Sequence, residues 1–308
     1  MLHLKFALNL EHLADTLMDA VTKAWTTHFE SPVVLFPDPK LEQWFRLRWI
    51  EKKGTLAGFN SMMIDKFLIE ILVGNDASKA KLRAEMLCNV ILAYLQQSEG
   101  GEPNYTKLGE EVKRYLIIDG HLDETHLFDF ATKMASLFLE YEVSRPANFV
   151  GNASGSAPGI LDKWHLKDEQ HPRGMEPFFS ANGQSDICNR EKWQQKLYAA
   201  IFHPKVEGGR IAEDSLLTKV FKKQRERKNS QYTEYLTIPY LYSACLDEQG
   251  RANFHLEKFV NTPLFIFGLS GMGQFYRVIL QKFAEEHDVF AYIQNPCMEF
   301  WEDAILQM

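Results

Sequence analysis

VVLFPDPKLEQWFRLRWIEKKG, Val33 to Gly54, decides how the rest of the chain is read. Val33–Phe36 is a short apolar run that opens on β-branched residues, the pattern of a strand buried on both faces. Leu41–Lys52 follows with helical character. Strand, tight loop and helix form the frame in which nucleotide-driven motors hold phosphate. There, glycines let backbone amides approach the anion, a Lys supplies charge and a Ser or Thr completes the loop. Here the junction is Pro37-Asp38-Pro39-Lys40. It has no glycine, two prolines that lack an amide donor, and a carboxylate where an anion would sit. The dipeptide Gly-Lys occurs nowhere in the chain. The frame of a motor element is present and its phosphate chemistry is missing.

Working outward, Leu2–Leu8 alternates as a strand. Glu11–Trp25 carries Leu13, Leu17, Val21 and Trp25 at helical spacing. Strand-helix-strand-helix predicts a parallel sheet with crossover helices. The β pattern returns late in the chain. Leu264–Phe267, within PLFIFG, and Val289–Ile293 read as buried strands around a helix over Gly271–Glu285. The intervening region reads as helices over Met62–Leu72, Lys79–Gln97, Lys107–Ile118 and Leu127–Val143. The last of these is stopped by Arg145-Pro146, because Pro disfavours helix in its predecessor. A polar, Gly- and Pro-containing stretch runs from Gly151 to about Asn189. Helices then resume over Glu191–Phe202 and Asp214–Arg227, with a short one near Tyr240–Leu246. The expected fold class is α/β: one parallel-sheet domain from residues 1–75 and 260–308, with a mainly helical domain over 76–259 inserted and a flexible loop near 147–189.

The chain has 308 residues, 45% of them apolar, so a sizeable core can be buried. A formal charge of -7 excludes a global basic field, and any nucleic-acid contact has to come from local patches. Cys88, Cys188, Cys245 and Cys297 are scattered without zinc-ligand spacing, as suits a reducing cytoplasm. The N-terminus does not read as a signal peptide, and the apolar stretches are too short and too charged to span a bilayer. The C-terminal AILQM carries no turn signal, as expected of a fragment cut within a helix.

Other candidate sites stand beside plainer readings. Gly268-Leu-Ser-Gly271-Met-Gly273 also joins a strand to a helix, but its glycine spacing is reversed for a dinucleotide loop. The next strand ends in Gln294-Asn295, where a ribose-binding fold would carry an acid. A tight turn with close backbone packing explains the glycines more simply. The run Lys219–Lys228 could track a phosphate backbone or be a solvated helix end. Trp44, Phe45 and Trp49 alternate with Arg46, Arg48, Lys52 and Lys53. That mixture fits base stacking or, more simply, a core-facing helix with a charged outer side. Glu299, Glu302, Asp303 and Cys297 fit the start of a helix. His165 and His171 have no metal-like spacing, and no hydrolase or nuclease constellation is present.

Three ordered stretches resemble the N-terminal part of the RecC family, the gamma subunit of exonuclease V. The first is Val33–Phe67, with the glycine-poor loop, Trp44, Gly54 and a helix containing Phe67. The second runs from Leu127-Phe128 through Leu137-Phe138 to Tyr141 and Arg145-Pro146. The third is PLFIFGLSGM, then Asn295-Pro296-Cys297 and Phe300-Trp301-Glu302-Asp303.

The resemblance implies a P-loop-NTPase-like, superfamily one helicase-like core that has lost ATP hydrolysis, with its helical subdomain inserted. It implies no catalytic residue, cofactor or metal in this chain. The partners it implies are single-stranded DNA and DNA ends, and the helicase-nuclease (beta) and helicase (alpha) subunits of exonuclease V. The setting would be ATP-dependent DNA degradation and double-strand-break repair in the cytoplasm, with Chi recognition in some members. Positions matching the Chi-reading residues are Met63, Ile69, Ser136, Leu137, Glu140 and Arg145. Leu137 and Arg145 keep the residue of the Chi-reading pattern, whereas Met63 stands where that pattern has Leu, Ile69 where it has Trp, Ser136 where it has Asp and Glu140 where it has Gln. Ile cannot stack as Trp does, and Ser and Glu cannot repeat the hydrogen bonds of Asp and Gln. An active ATP-dependent helicase or nuclease, and a scaffold that touches protein alone, are the alternatives.

Overall fold

A computed structural model describes residues 1–25, 31–144, 164, 185–202, 215–228, 233–247, 251–257, 259, 262–268 and 274–295. The chain divides into two compact units, Met1–Gly74 with Ala252–Met308, and Asn75–Arg251. The first unit begins with β1 (Leu2–Ala7), α1 (Leu10–Ala24), β2 (Val33–Phe36), α2 (Pro39–Lys53), β3 (Asn60–Met63) and α3 (Ile64–Val73). The second holds β4 (Lys79–Lys81), α4 (Ala84–Gln96), the hairpin of β5 (Ser98–Glu99) and β6 (Glu102–Pro103), and α5 (Glu110–Leu116). It continues with the hairpin of β7 (Ile117–Ile118) and β8 (His121–Leu122), α6 (Glu124–Ser144), α7 (Ser185–Phe202), α8 (Leu216–Lys228), β9 (Glu234–Leu236) and α9 (Ile238–Cys245). The chain then re-enters the first unit with β10 (Leu264–Phe267), α10 (Gln274–Glu286) and β11 (Val289–Gln294).

The first unit is built on a five-stranded sheet in the order β1-β11-β10-β2-β3. Every pairing in it is parallel. The two strands read from the sequence as the frame's centre are direct neighbours, Leu264 opposite Val33. The fold is therefore α/β on a parallel sheet. All four residues of β2 and of β10 are buried, as strands covered on both faces must be. One face carries Val34, Phe36, Phe265, Phe267 and Tyr292 against Leu13, Leu17 and Val21 of α1 and Phe45 and Trp49 of α2. Phe36, Phe45 and Phe267 are each fully buried. Burial at that level is worth about 1.5–3 kcal/mol per side chain. In the same unit, Phe67 of α3 meets Phe283 of α10 edge-on at 5.2 Å.

Lys107–Ile118, read as one helix, is α-helical only over Glu110–Leu116 and ends in the strand Ile117–Ile118 paired with His121–Leu122. Two further departures from the sequence reading have causes in distant partners. Met62–Leu72 reads as one helix, yet Asn60–Met63 pairs with β2, and helix begins only at Ile64. Asn-Ser-Met-Met carries no β-branched residue, so only its neighbour makes it a strand. Lys79–Gln97 likewise reads as one helix. Lys79–Lys81 is instead a strand paired with Glu234–Leu236, and Leu82 donates its amide to Leu236 at 2.7 Å. That partner lies far along the chain, beyond any local pattern.

The second unit is mainly helical. Leu87, Val90, Ile91 and Leu95 of α4 are buried, as are Leu127, Ala131, Met134, Ala135 and Phe138 of α6. The small residues Ala131 and Ala135 are fully buried. No described helix is long and apolar enough to cross a membrane.

Candidate functional site

In the first unit, β2 leads through α2 to β3 on one side, and β10 leads through α10 to β11 on the other. The carboxyl ends of these two adjacent strands are therefore a topological switch point, the place where open α/β sheets bind ligands. The junction after β2 is Pro37-Asp38-Pro39, and β10 ends at Phe267-Gly268.

An anion at this point would need the first-turn amides of α2. Pro39 has none. The Asp38 side chain accepts from Lys40 N at 2.9 Å and Leu41 N at 3.0 Å. Glu42 N donates to the Asp38 carbonyl at 3.3 Å. Every donor of the turn is thus absent or already paired, and the carboxylate of Asp38 stands where a phosphate's charge would be compensated.

The crevice itself is filled with hydrocarbon. Gly268 holds φ at +76°, and a methyl group added there would fall inside the Leu41 side chain. Trp44 lies parallel to Phe267 with ring centroids 6.3 Å apart, and Phe45 meets Phe267 at 5.1 Å. At the end of β11, the Gln294 side chain donates to the Leu8 carbonyl at 3.3 Å, and Asn295 N donates to the Ala7 carbonyl at 3.0 Å. These amides tie β11 to β1.

Four cations of α2 are likewise engaged. Arg48 holds Asp15 with two bonds, 2.9 and 3.0 Å, and Lys52 joins the same carboxylate at 3.2 Å. Burial alone would raise the Asp15 carboxyl, but hydrogen bonds from Arg48 and Lys52 outweigh it and hold the group below its ordinary range. Lys53 pairs with Asp19 at 3.0 Å, and Arg46 pairs with Glu42 at 2.8 Å and bonds Ser61. Phe45 and Trp49 face the core, and Trp44 is half-buried. The aromatic residues of this helix pack inward, and Arg46, Arg48, Lys52 and Lys53 are paired with the protein's own acids.

The second unit carries a different surface. Along α6, Phe128, Thr132, Ser136 and Glu140 are exposed at four-residue spacing, and Leu137 is half-buried. Beneath this face, Glu142 is buried and accepts hydrogen bonds from Tyr198 and, at 3.1 Å, from Thr237. Desolvation pushes its carboxyl up to about 7, with the two hydroxyl donors opposing. Sequence reasoning passed over Glu142. Its signal was position: it follows Leu127, Ala131, Met134 and Phe138 in the buried stripe of the helix.

The family model described as "RecC, N-terminal domain" matches residues 2–307. The chain belongs to the RecC family. It is also 21% identical over 282 residues to the RecBCD enzyme subunit RecC of Haemophilus influenzae, which covers 89% of this chain. The match takes in 21% of that relative, so the chain spans about a fifth of its length.

Within this RecC N-terminal region, the residues matched by resemblance to Chi-reading positions fall in both units. Met63, packed against the sheet core, and half-buried Ile69 lie in the first unit. Ser136, Leu137 and Glu140 lie in the second. Arg145 lies outside the described residues, as do His165, His171, Cys297 and the acids Glu299, Glu302 and Asp303.

Proposed function

We propose that this RecC-family chain is a catalytically silent, helicase-like module of a RecBCD-type subunit. The first unit serves as a superfamily one-like core without nucleotide chemistry, and the second as its inserted helical subdomain. The module binds single-stranded DNA and the helicase-nuclease and helicase subunits, and so takes part in DNA unwinding, degradation and recombinational repair in the cytoplasm. The observation that supports the silent core is the switch point. Asp38 occupies the amides a phosphate would use, and Leu41 and Trp44 fill the space beside Gly268 and Phe267.

Equilibrium binding of a fluorescent ATP analogue, with ATP turnover measured beside it, tests the core. Neither signal is expected at millimolar nucleotide. Turnover that disappears in Lys40→Ala would establish an active motor instead. Binding of a labelled oligothymidine across a salt series tests the nucleic-acid part.

A scaffold touching only protein is the second reading. It is favoured by the formal charge of -7 and by the engaged cations of α2. Absence of salt-sensitive oligonucleotide binding would select it.

A further inference from the structure

The sequence offers two basic helices, α2 and α8, and the structure separates them. On α2, Arg46, Arg48, Lys52 and Lys53 each face a carboxylate, and Lys40 stands apart from them in the first turn. On α8, Lys219, Lys222 and Lys223 are exposed, and among the described residues none of the three enters an ion pair.

The underside of α8 is anchored. Leu217 and Phe221 are buried, Phe221 meets the ring of Tyr235 at 4.5 Å, and the Ser215 hydroxyl accepts from Thr218 N at 3.1 Å. The helix is held in register by its apolar side and its cap, and Lys219, Lys222 and Lys223 are turned outward.

Two ordinary explanations for such a cluster do not cover these three lysines. Attraction to the helix dipole favours cations in the last turn, but Lys219 stands in the first turn and Lys222 and Lys223 follow at mid-helix. Pairing with an acid would leave the surface neutral, and among the described residues no ion pair of Lys219, Lys222 or Lys223 is formed. Like charges at three- and four-residue spacing instead destabilise a helix unless a counter-charge arrives from outside. Three ammonium groups over about 6 Å of axis make a compact cationic strip.

We propose that the Lys219–Lys222–Lys223 face of α8 binds the phosphate backbone of single-stranded nucleic acid. The inference rests on the nucleic-acid reading of this chain and assigns it a surface. The contact is to phosphate and carries no base preference, because lysine is a point charge that neutralises an anion without reading a base edge. An acidic peptide segment of a partner protein is the competing occupant, and the test decides against one of the two.

The experiment measures oligothymidine binding to the intact chain from ~50 to ~200 mM salt. The triple variant Lys219→Gln/Lys222→Gln/Lys223→Gln keeps the helix propensity and removes the charge. Circular dichroism reports that it remains folded. The expected result is a salt slope smaller by about 2 and an affinity roughly 10–100-fold weaker at ~0.1 M salt. Lys52→Gln/Lys53→Gln, whose cations are already paired, keeps the parent slope.

If the intact chain binds oligothymidine and the triple variant binds with unchanged slope, the α8 assignment is overturned while the nucleic-acid reading stands. If the intact chain binds no oligonucleotide at any salt, both fall. If polyglutamate binds more tightly than oligothymidine and loses that binding in the triple variant, the face belongs to a protein partner and the proposal is overturned.

Discussion

Leu41 of α2 lies against the bare Cα of Gly268, so that neither position has room for a larger neighbour. The contact closes the carboxyl end of the sheet between β2 and β10. Gly268→Ala places a side chain at φ +76° and drives it into Leu41. The expected cost is about 2–3 kcal/mol, from overpacking together with left-handed backbone strain. Leu41→Ala combined with Gly268→Ala should cost less than the two changes summed, since the overlap is gone. Urea midpoints of the four proteins in this cycle measure the coupling, and additive values would refute the contact.

Asp38 closes the same point from the helix side. Asp38→Ala removes the acceptor for Lys40 N and Leu41 N and should cost about 1 kcal/mol. Asp38→Asn keeps an oxygen in place and should cost only a few tenths. If the two variants melt together, the carboxylate is not acting as a cap.

How much of this was legible in the sequence depends on the range of the interaction. Pro37-Asp38-Pro39-Lys40 announced the lack of a phosphate loop, because missing glycines and missing amides are local facts. That Asp38 takes over the amides could be read from its place just before Pro39. That Leu41 and Trp44 fill the crevice could not, because Phe267 and Gly268 come from the far end of the chain. The same limit hid β3 and β4, which are strands only by virtue of β2 and β9. It also left α2 and α8 indistinguishable as basic helices, since Asp15 and Asp19 reach Arg48, Lys52 and Lys53 from α1.

Arg48 and Asp15 join α2 to α1 with two bonds at partly exposed positions, 19% and 34% for the two side chains. Arg48→Ala should therefore cost no more than about 1 kcal/mol, with solvent screening the charge. The folded state holds the Asp15 carboxyl below its ordinary 3.8. Its contribution is present above that pH and is lost as the pH falls further. Arg48→Ala should flatten this part of the acid limb of a stability-versus-pH curve. A limb that stays as steep would mean that Lys52 alone holds the carboxylate.

Glu142 works in the opposite sense. Its carboxyl is pushed up to about 7 from an ordinary 4.5 because burial penalises the charge more than Tyr198 and Thr237 stabilise it. Between those two values the folded chain retains a proton that the unfolded chain has released. Stability therefore falls as the pH rises through this window and levels off above it. The loss is of the order of 3 kcal/mol at most, from the size of the shift. Glu142→Gln keeps an oxygen acceptor for one hydroxyl and cannot ionise. It should remove this part of the slope, leaving the variant slightly less stable than the parent below pH 5 and more stable at pH 8. Urea denaturation at the two pH values, followed by helical circular dichroism, checks the crossing. A parent chain whose stability rises steadily from pH 5 to pH 8, with the variant parallel to it, would show that Glu142 is ionised throughout and that its hydrogen bonds outweigh its burial.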